Sequence, residues 1–356
     1  MNIPMKRYRS YFIVSLFLGL LLAGCGANSA GSVNSGKDSS NTVKDSEKVV
    51  IKLGHVTNDQ SAIHKGSIKF KEIIEEESGG KMEVQVIPGG QLGNEKDLVE
   101  STQIGTIHMT IPSAAVLSNF VPKASVLTLP YIIEGENERE KYENFQKLAK
   151  TDVYKEIALQ SNEAGLEIFP EAVWWVGDRH VTTKDKTIEI PEKIKGLKIR
   201  TPDATAHTEP FRLLKANVTP MNITEVYMSL KTGTIEAQEN SINQIYTNKF
   251  QEVQNVVNLT GHMTQNELPA VNLNWWKGLT EDQKKMITDA MAVSGEYMSE
   301  LQLKANEDEL NLLKESGMKV VEVDLDAYKA ATKETYKAFE DKLGNGYYEK
   351  IKDAQK

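Results

Sequence analysis

Cysteine is almost absent: Cys25 is the only one in 356 residues. The chain therefore has no intramolecular disulfide and no cysteine-based metal site, and its stability rests on packing. Long apolar runs are missing beyond the first segment, and a mean hydropathy of -0.41 rules out a protein with many membrane spans. Excess positive charge is missing as well. The net charge is -8, and no basic stripe interleaved with aromatics is present to follow a phosphate backbone, so nucleic acid is not an expected partner. Nor are the common catalytic signatures present: there is no Gly-x-Ser-x-Gly elbow, no phosphate-binding Gly-x-x-x-x-Gly-Lys loop and no His-Glu-x-x-His. His55, His64, His108, His180, His207 and His262 are scattered without paired metal spacing. No metal, no cofactor and no enzymatic activity are expected.

The first segment is an address. Lys6, Arg7 and Arg9 precede an apolar run, Tyr11 to Leu22, that is too short for an ordinary transmembrane helix. It ends in Leu22-Ala23-Gly24-Cys25, which resembles the bacterial lipobox: small residues admit the peptidase, and the thiol accepts a diacylglyceryl group. Residues 1–24 are expected to be a lipoprotein signal peptide and Cys25 the lipidated residue. Residues 25–47 shift to Ser, Asn, Gly, Lys and Asp, too few of them apolar to offset the entropy of ordering, and are expected to be a flexible tether on the outer face of a bacterial cell membrane.

At this length two lobes are the default for the rest. Val49 to Leu53 predicts a strand, Ala62 to Glu77 a helix, and the alternation Met82, Val84, Val86 a second strand. Asn94 predicts the cap of a helix ending near Gly105, and Ile107 to Ile111 a third strand. Such a βαβαβ unit forms a parallel sheet whose ligands collect beyond the carboxyl ends of its strands. A helix over Glu136 to Ser161 and a strand over Leu166 to Trp175 are expected next. A second alternation follows: strand Leu197 to Arg200, helix Ala204 to Lys215, Val218, and helix Thr224 to Thr232. After Val256 to Leu259 and Ala270 to Leu273, Glu281 to Glu315 reads as one long helix suited to brace two lobes, and Asp326 to Lys342 as a last one. The class is α/β.

Arginine is scarce enough to be informative. Beyond the first segment only Arg139, Arg179, Arg200 and Arg212 occur, and Arg179 and Arg200 each stand at or just past a predicted strand. A guanidinium presents two parallel donors that match a carboxylate, so arginines at a cleft suit organic acids. Surface ion pairing is the competing explanation for strand-end arginines.

The stretch Ile190-Pro191-Glu192-Lys193-Ile194-Lys195-Gly196-Leu197-Lys198-Ile199-Arg200-Thr201-Pro202 resembles the signature of the solute-binding proteins of TRAP (tripartite ATP-independent periplasmic) transporters, of the C4-dicarboxylate-binding type. Gln91-Leu92-Gly93, Leu129-Pro130-Tyr131, Gly177-Asp178-Arg179, Gln238-Glu239-Asn240 and Leu259-Thr260-Gly261-His262 agree with it in order. The resemblance implies a periplasmic-binding-protein-like fold of two α/β lobes closing on a ligand cleft, joined by strands and a long connecting helix. The N-terminal lobe is expected over 48–176 and about 266–305, and the C-terminal lobe over 177–265 and about 306–356. It also implies roles: Arg200 bridges the ligand carboxylate, Arg179 and Asn240 support it, and Glu95, Ser113, Trp175 and Ile223 read the rest of the ligand. Two departures, Ile235-Glu236-Ala237 and Ser241, put the placement of the Asn240 segment in question. Ser113 and Val116 stand where sialic-acid-binding relatives carry an acid and an arginine, which argues against sialic acid. The expected protein is a monomer that hands a small organic acid, a C4-dicarboxylate, sugar acid or other monocarboxylate, to the membrane subunits of a TRAP transporter. A sensor lipoprotein presenting the acid to a receptor, and an extracytoplasmic enzyme using the same cleft, are the rival readings.

Overall fold

The computed structural model describes residues 48–343 and 346–355. The expected signal peptide, Cys25 and the expected tether lie outside them. Among the described residues, eleven strands form two sheets. They are β1 (Val49–Gly54), β2 (Met82–Ile87), β3 (Met109–Thr110), β4 (Leu166–Ile168), β5 (Trp174–Thr183), β6 (Lys198–Thr201), β7 (Asn217–Pro220), β8 (Ala237–Ser241), β9 (Val256–Glu267), β10 (Ala270–Asn272) and β11 (Lys319–Val321).

The first sheet has the order β2-β1-β3-β10-β4. β1 pairs in parallel with β2 and β3, as the βαβαβ reading requires, and β10 closes the sheet antiparallel to β3 and β4. The second has the order β11-β9-β5-β8-β6-β7, with β5 antiparallel to both β8 and β9 and β6 parallel to β7 and β8. Helix Ala62–Glu77 starts on Ser61, whose hydroxyl accepts from the His64 amide, and buries Ile63, Phe70 and Ile74 against Ile51, Leu53 and Val84.

The helix Glu281–Glu315 has the expected bounds. Thr280 and Gln283 close a reciprocal capping box at its start, and 35 residues at 1.5 Å each make it about 52 Å long. Ile287, Met291 and Met298 join the core under the first sheet, while Leu313 joins a cluster with Val226, Ile242 and Val257 of the second. One rigid element thus serves both cores.

Three expected elements are broken, each for a local reason. The helix over Glu136 to Ser161 is two, Glu138–Ala149 and Asp152–Glu163: Thr151 takes extended backbone and its hydroxyl donates to the Leu148 carbonyl at 2.7 Å. The strand over Leu166 to Trp175 is interrupted after β4, where Pro170 has no amide to give a ladder. The last helix is Leu325–Thr332, a tighter turn, and Lys337–Leu343, with a further helix Tyr347–Ala354 beyond it.

Candidate functional site

Strand ends and helix starts from both sheets meet at a cavity of about 80 Å³. At roughly 10–15 Å³ per water it has room for several waters or a small acid. Arg179 of β5, Arg200 of β6, Asn240 of β8, Glu95, Ser113 and Ile223 all line it. Glu95 opens helix Glu95–Gln103 behind the Asn94 cap, and Ser113 caps the short helix Ala114–Leu117, its hydroxyl accepting from the Val116 amide.

The two arginines differ in what they have left to give. Arg179 is committed to the protein. Its Nε donates to Glu239 Oε2 at 2.5 Å, its Nη2 to Glu239 Oε1 at 2.9 Å and to the Glu239 carbonyl at 2.6 Å. Its Nη1 donates to Asn240 Oδ1 at 2.9 Å and to Gln265 Oε1. Those five bonds use all five guanidinium hydrogens. Glu239 is fully buried, and burial alone would push its carboxyl up. Arg179 and His207 outweigh that and hold it well below the usual carboxylate range. His262 Nε2 lies 3.2 Å from Glu239 Oε2, and its Nδ1 lies 2.8 Å from the Thr260 hydroxyl. An ionised carboxylate accepts only, so Nε2 carries a proton and donates to Glu239.

Arg200 is held by one side only. Nε and Nη2 both donate to the Met221 carbonyl, at 2.8 and 2.6 Å, while Nη1 is buried without a protein partner. Burial lowers its pKa to about 10, which leaves it a cation at neutral pH. Asn240 spends Oδ1 on Arg179 and on the Ser241 amide, so its amide nitrogen remains to donate. The departures from the family pattern do not leave this residue on a loop: β8 is a strand, and Ser241 caps helix Ile242–Thr247.

Trp175, expected to read the ligand, does not reach the cavity. It is fully buried, packs 5.7 Å from the Phe145 ring and 5.9 Å from Tyr142, and its amide donates to Ser299 Oγ at 2.9 Å. A register shift between Trp175 and Gly177 is the cause. It pairs Trp175 with Asn266 and Gly177 with Gln265, neighbours on β9 that point to opposite faces. Simple alternation back from Arg179 therefore assigns Trp175 the wrong face.

Two groups that the sequence reading did not single out complete the site. Glu267, at the end of β9, accepts from Gln265 Nε2 at 2.5 Å and faces the cavity. His55 also lines it, 3.2 Å from His64 and 3.1 Å from the Thr57 hydroxyl, and burial drives its pKa down to about 3, so it is neutral.

The model of the bacterial extracellular solute-binding proteins, family 7, matches residues 53–342. The chain belongs to that family. A solute-binding protein of Roseobacter denitrificans is 32% identical over 288 residues, 81% of this chain and 86% of the relative. Among solved structures, the sugar acid binding protein of Advenella mimigardefordensis in complex with galactonate superposes with a TM-score of 0.80 at 28% identity, covering 87% of this chain and 99% of that one. A TRAP solute-binding protein of Sulfurospirillum deleyianum with bound succinate gives 0.79 at 25% identity, covering 86% and 98%. Family 7 membership accounts for the two-lobed α/β fold. The near-equal scores of the two structures leave the acid to be argued from the cavity.

Proposed function

We propose that this family 7 protein captures a small organic acid at Arg200 and hands it to the membrane subunits of a TRAP-type secondary transporter. The observation that carries the reading is the Arg200 Nη1 group, charged, buried and without a partner at the wall of a cavity sized for a small acid. A buried cation left this way costs free energy unless something anionic completes it, and a carboxylate matches the remaining donors. Asn240 donates beside it, and Arg179 acts one step back, fixing Asn240, Gln265 and Glu239. Glu95, Ser113 and Ile223 meet the rest of the ligand. The cavity binds and does not catalyse.

The same proposal covers the ends of the chain. Residues 1–24 are removed, Cys25 is lipidated, and the tether holds a monomer at the outer face of the membrane. The lobes divide at Val176/Gly177 and again near 266 and 306, with β5, β9 and the long helix as connectors. Mass spectrometry of protein extracted from membranes checks the anchor: a diacylglyceryl adduct on Cys25 supports it, and an unmodified thiol removes it.

A thermal-shift screen against organic acids tests the binding. A ligand at 100 times its dissociation constant stabilises by about 2.7 kcal/mol. A clear upward shift with one acid, absent in Arg200→Ala, is the expected result; a shift that survives in Arg200→Ala shows that another residue holds the carboxylate.

A further inference from the structure

We propose that Gln244, Asn248 and Asn58 form an uncharged latch between the two walls of the cavity. Gln244 donates to the bound acid, and the two asparagines pass that contact to the opposite wall. The proposal rests on the binding reading above and adds positioning residues to the same site.

Gln244 belongs to the short helix Ile242–Thr247 that follows β8. Its side chain is buried and lines the cavity, and its Nε2 has no protein partner. Its Oε1 accepts from Asn248 Nδ2 at 3.0 Å, and the same nitrogen donates to the Gln244 carbonyl at 2.8 Å. Asn248 Oδ1 accepts from Asn58 Nδ2 at 3.4 Å, and Asn58 Oδ1 accepts from the Gln60 amide at 3.0 Å.

An amide side chain can be turned end for end, but two backbone groups fix this row. The Gln60 N–H only donates, so Asn58 offers it oxygen and turns its nitrogen toward Asn248. The Gln244 carbonyl only accepts, so Asn248 turns its nitrogen to Gln244 and its oxygen to Asn58. The two requirements agree. They leave Gln244 with its oxygen on Asn248 and its nitrogen toward the cavity. An acid with a carboxylate or hydroxyl oxygen at that point completes a row in which every bond runs the same way, and bonds aligned like this strengthen one another.

The row also joins the two walls. Asn58 follows β1 of the first sheet and the wall residues His55, Val56 and Thr57, whereas Gln244 and Asn248 follow β8 of the second. Asn58 and Asn248 are half-buried, and their bond is the longest of the row, so it parts first when the walls separate. Occupancy at Gln244 fixes Asn248, and Asn248 holds Asn58.

Calorimetry and stopped-flow dissociation of the purified protein test the latch, with galactonate, glucuronate and succinate as probes. At least one is expected to bind, and the tightest is carried through the variants. Gln244→Met keeps the length of the side chain and removes its donor; it is expected to weaken that probe about tenfold. Gln244→Ala serves as the second variant should methionine not fit. Asn58→Ser keeps the turn onto the Gln60 amide but is too short to reach Asn248. It is expected to weaken binding about threefold through faster dissociation, with the urea midpoint of the ligand-free protein unchanged. The double variant is expected to bind no more weakly than Gln244→Met alone, because Asn58 acts through Gln244. Dissociation unchanged in either single variant, effects that multiply in the double, or a lowered ligand-free midpoint in Asn58→Ser overturns the inference and leaves the binding reading intact. If none of the three acids binds the wild type, the inference falls together with the reading it rests on.

Discussion

Arg179 and Arg200 are both buried arginines of one cavity, and their partners predict opposite consequences of removing them. Arg179→Met strips the ion partner from Glu239, which is fully buried. Breaking a buried pair from one side costs about 3–5 kcal/mol, and urea denaturation without ligand is expected to show a loss of that order. Arg200→Met removes a cation whose Nη1 has no partner along with two bonds to the Met221 carbonyl, so the ligand-free protein is expected to lose far less than with Arg179→Met while acid binding disappears. If Arg200→Met destabilises the free protein as much as Arg179→Met, the two residues share one structural role and the assignment of Arg200 to the ligand fails.

On the other face of β5 a different acid responds to pH. Glu138 accepts from the Asp178 amide at 3.1 Å and from Asn306 Nδ2 at 2.7 Å, while Asp178 itself pairs with Lys141 at 2.5 Å. Burial, then the Asp178 charge, raises the Glu138 pKa from 4.5 to about 7. The folded state therefore keeps a proton that the unfolded chain has already lost. Its contribution is fully present below 4.5 and is lost as pH rises to about 7, at no more than about 1.4 kcal/mol per pH unit. Buried histidines give the whole protein an opposing slope, so the informative quantity is wild type minus Glu138→Gln. That difference is expected to fall between pH 5 and pH 7 and to be flat above; a flat difference throughout means Glu138 is ionised in the fold.

At the scale of elements, apolar periodicity made the helices Ala62–Glu77 and Glu281–Glu315 legible, because each has a capping residue and a buried stripe of its own. β8 was not legible. It reads Ala-Gln-Glu-Asn-Ser and is buried throughout, with Gln238 donating to Thr182, Glu239 beside His262 and Asn240 accepting from Arg179 on neighbouring strands, so no alternation marks it. Scarcity pointed to the arginines, but nothing in the spacing pointed to Glu267. The long helix carries its own test. A Cβ on Gly295 would stand 2.6 Å from both Trp174 Cδ1 and the Val173 carbonyl, closer than real contacts allow. Gly295→Ala gains about 1 kcal/mol of helix propensity, yet overpacking at that contact costs about 1–3 kcal/mol. Denaturation is expected to show net destabilisation; a stabilised variant would mean that the helix does not seat on β5 as closely as this.

For the whole molecule, the decisive feature is that the cavity has no single owner. Glu95 and Ser113 come from segments that follow strands of the first sheet, whereas Arg179, Arg200 and Asn240 lie on strands of the second. An acid held by Arg200 at one wall and by Glu95 at the other makes its full set of bonds only when the walls are close. Its affinity therefore differs between open and closed arrangements, and that difference is what shifts the population. The long helix contributes to both cores, and with the lobes divided as proposed, closure is a bend of the few segments that join them. Small-angle X-ray scattering of the purified protein is expected to show a smaller radius of gyration on adding a binding acid, and no change for Arg200→Met under the same conditions. If calorimetry registers tight binding while the wild-type radius stays constant, the free protein is already closed. Recognition by the transporter then cannot depend on closure, and must read the occupied cleft itself.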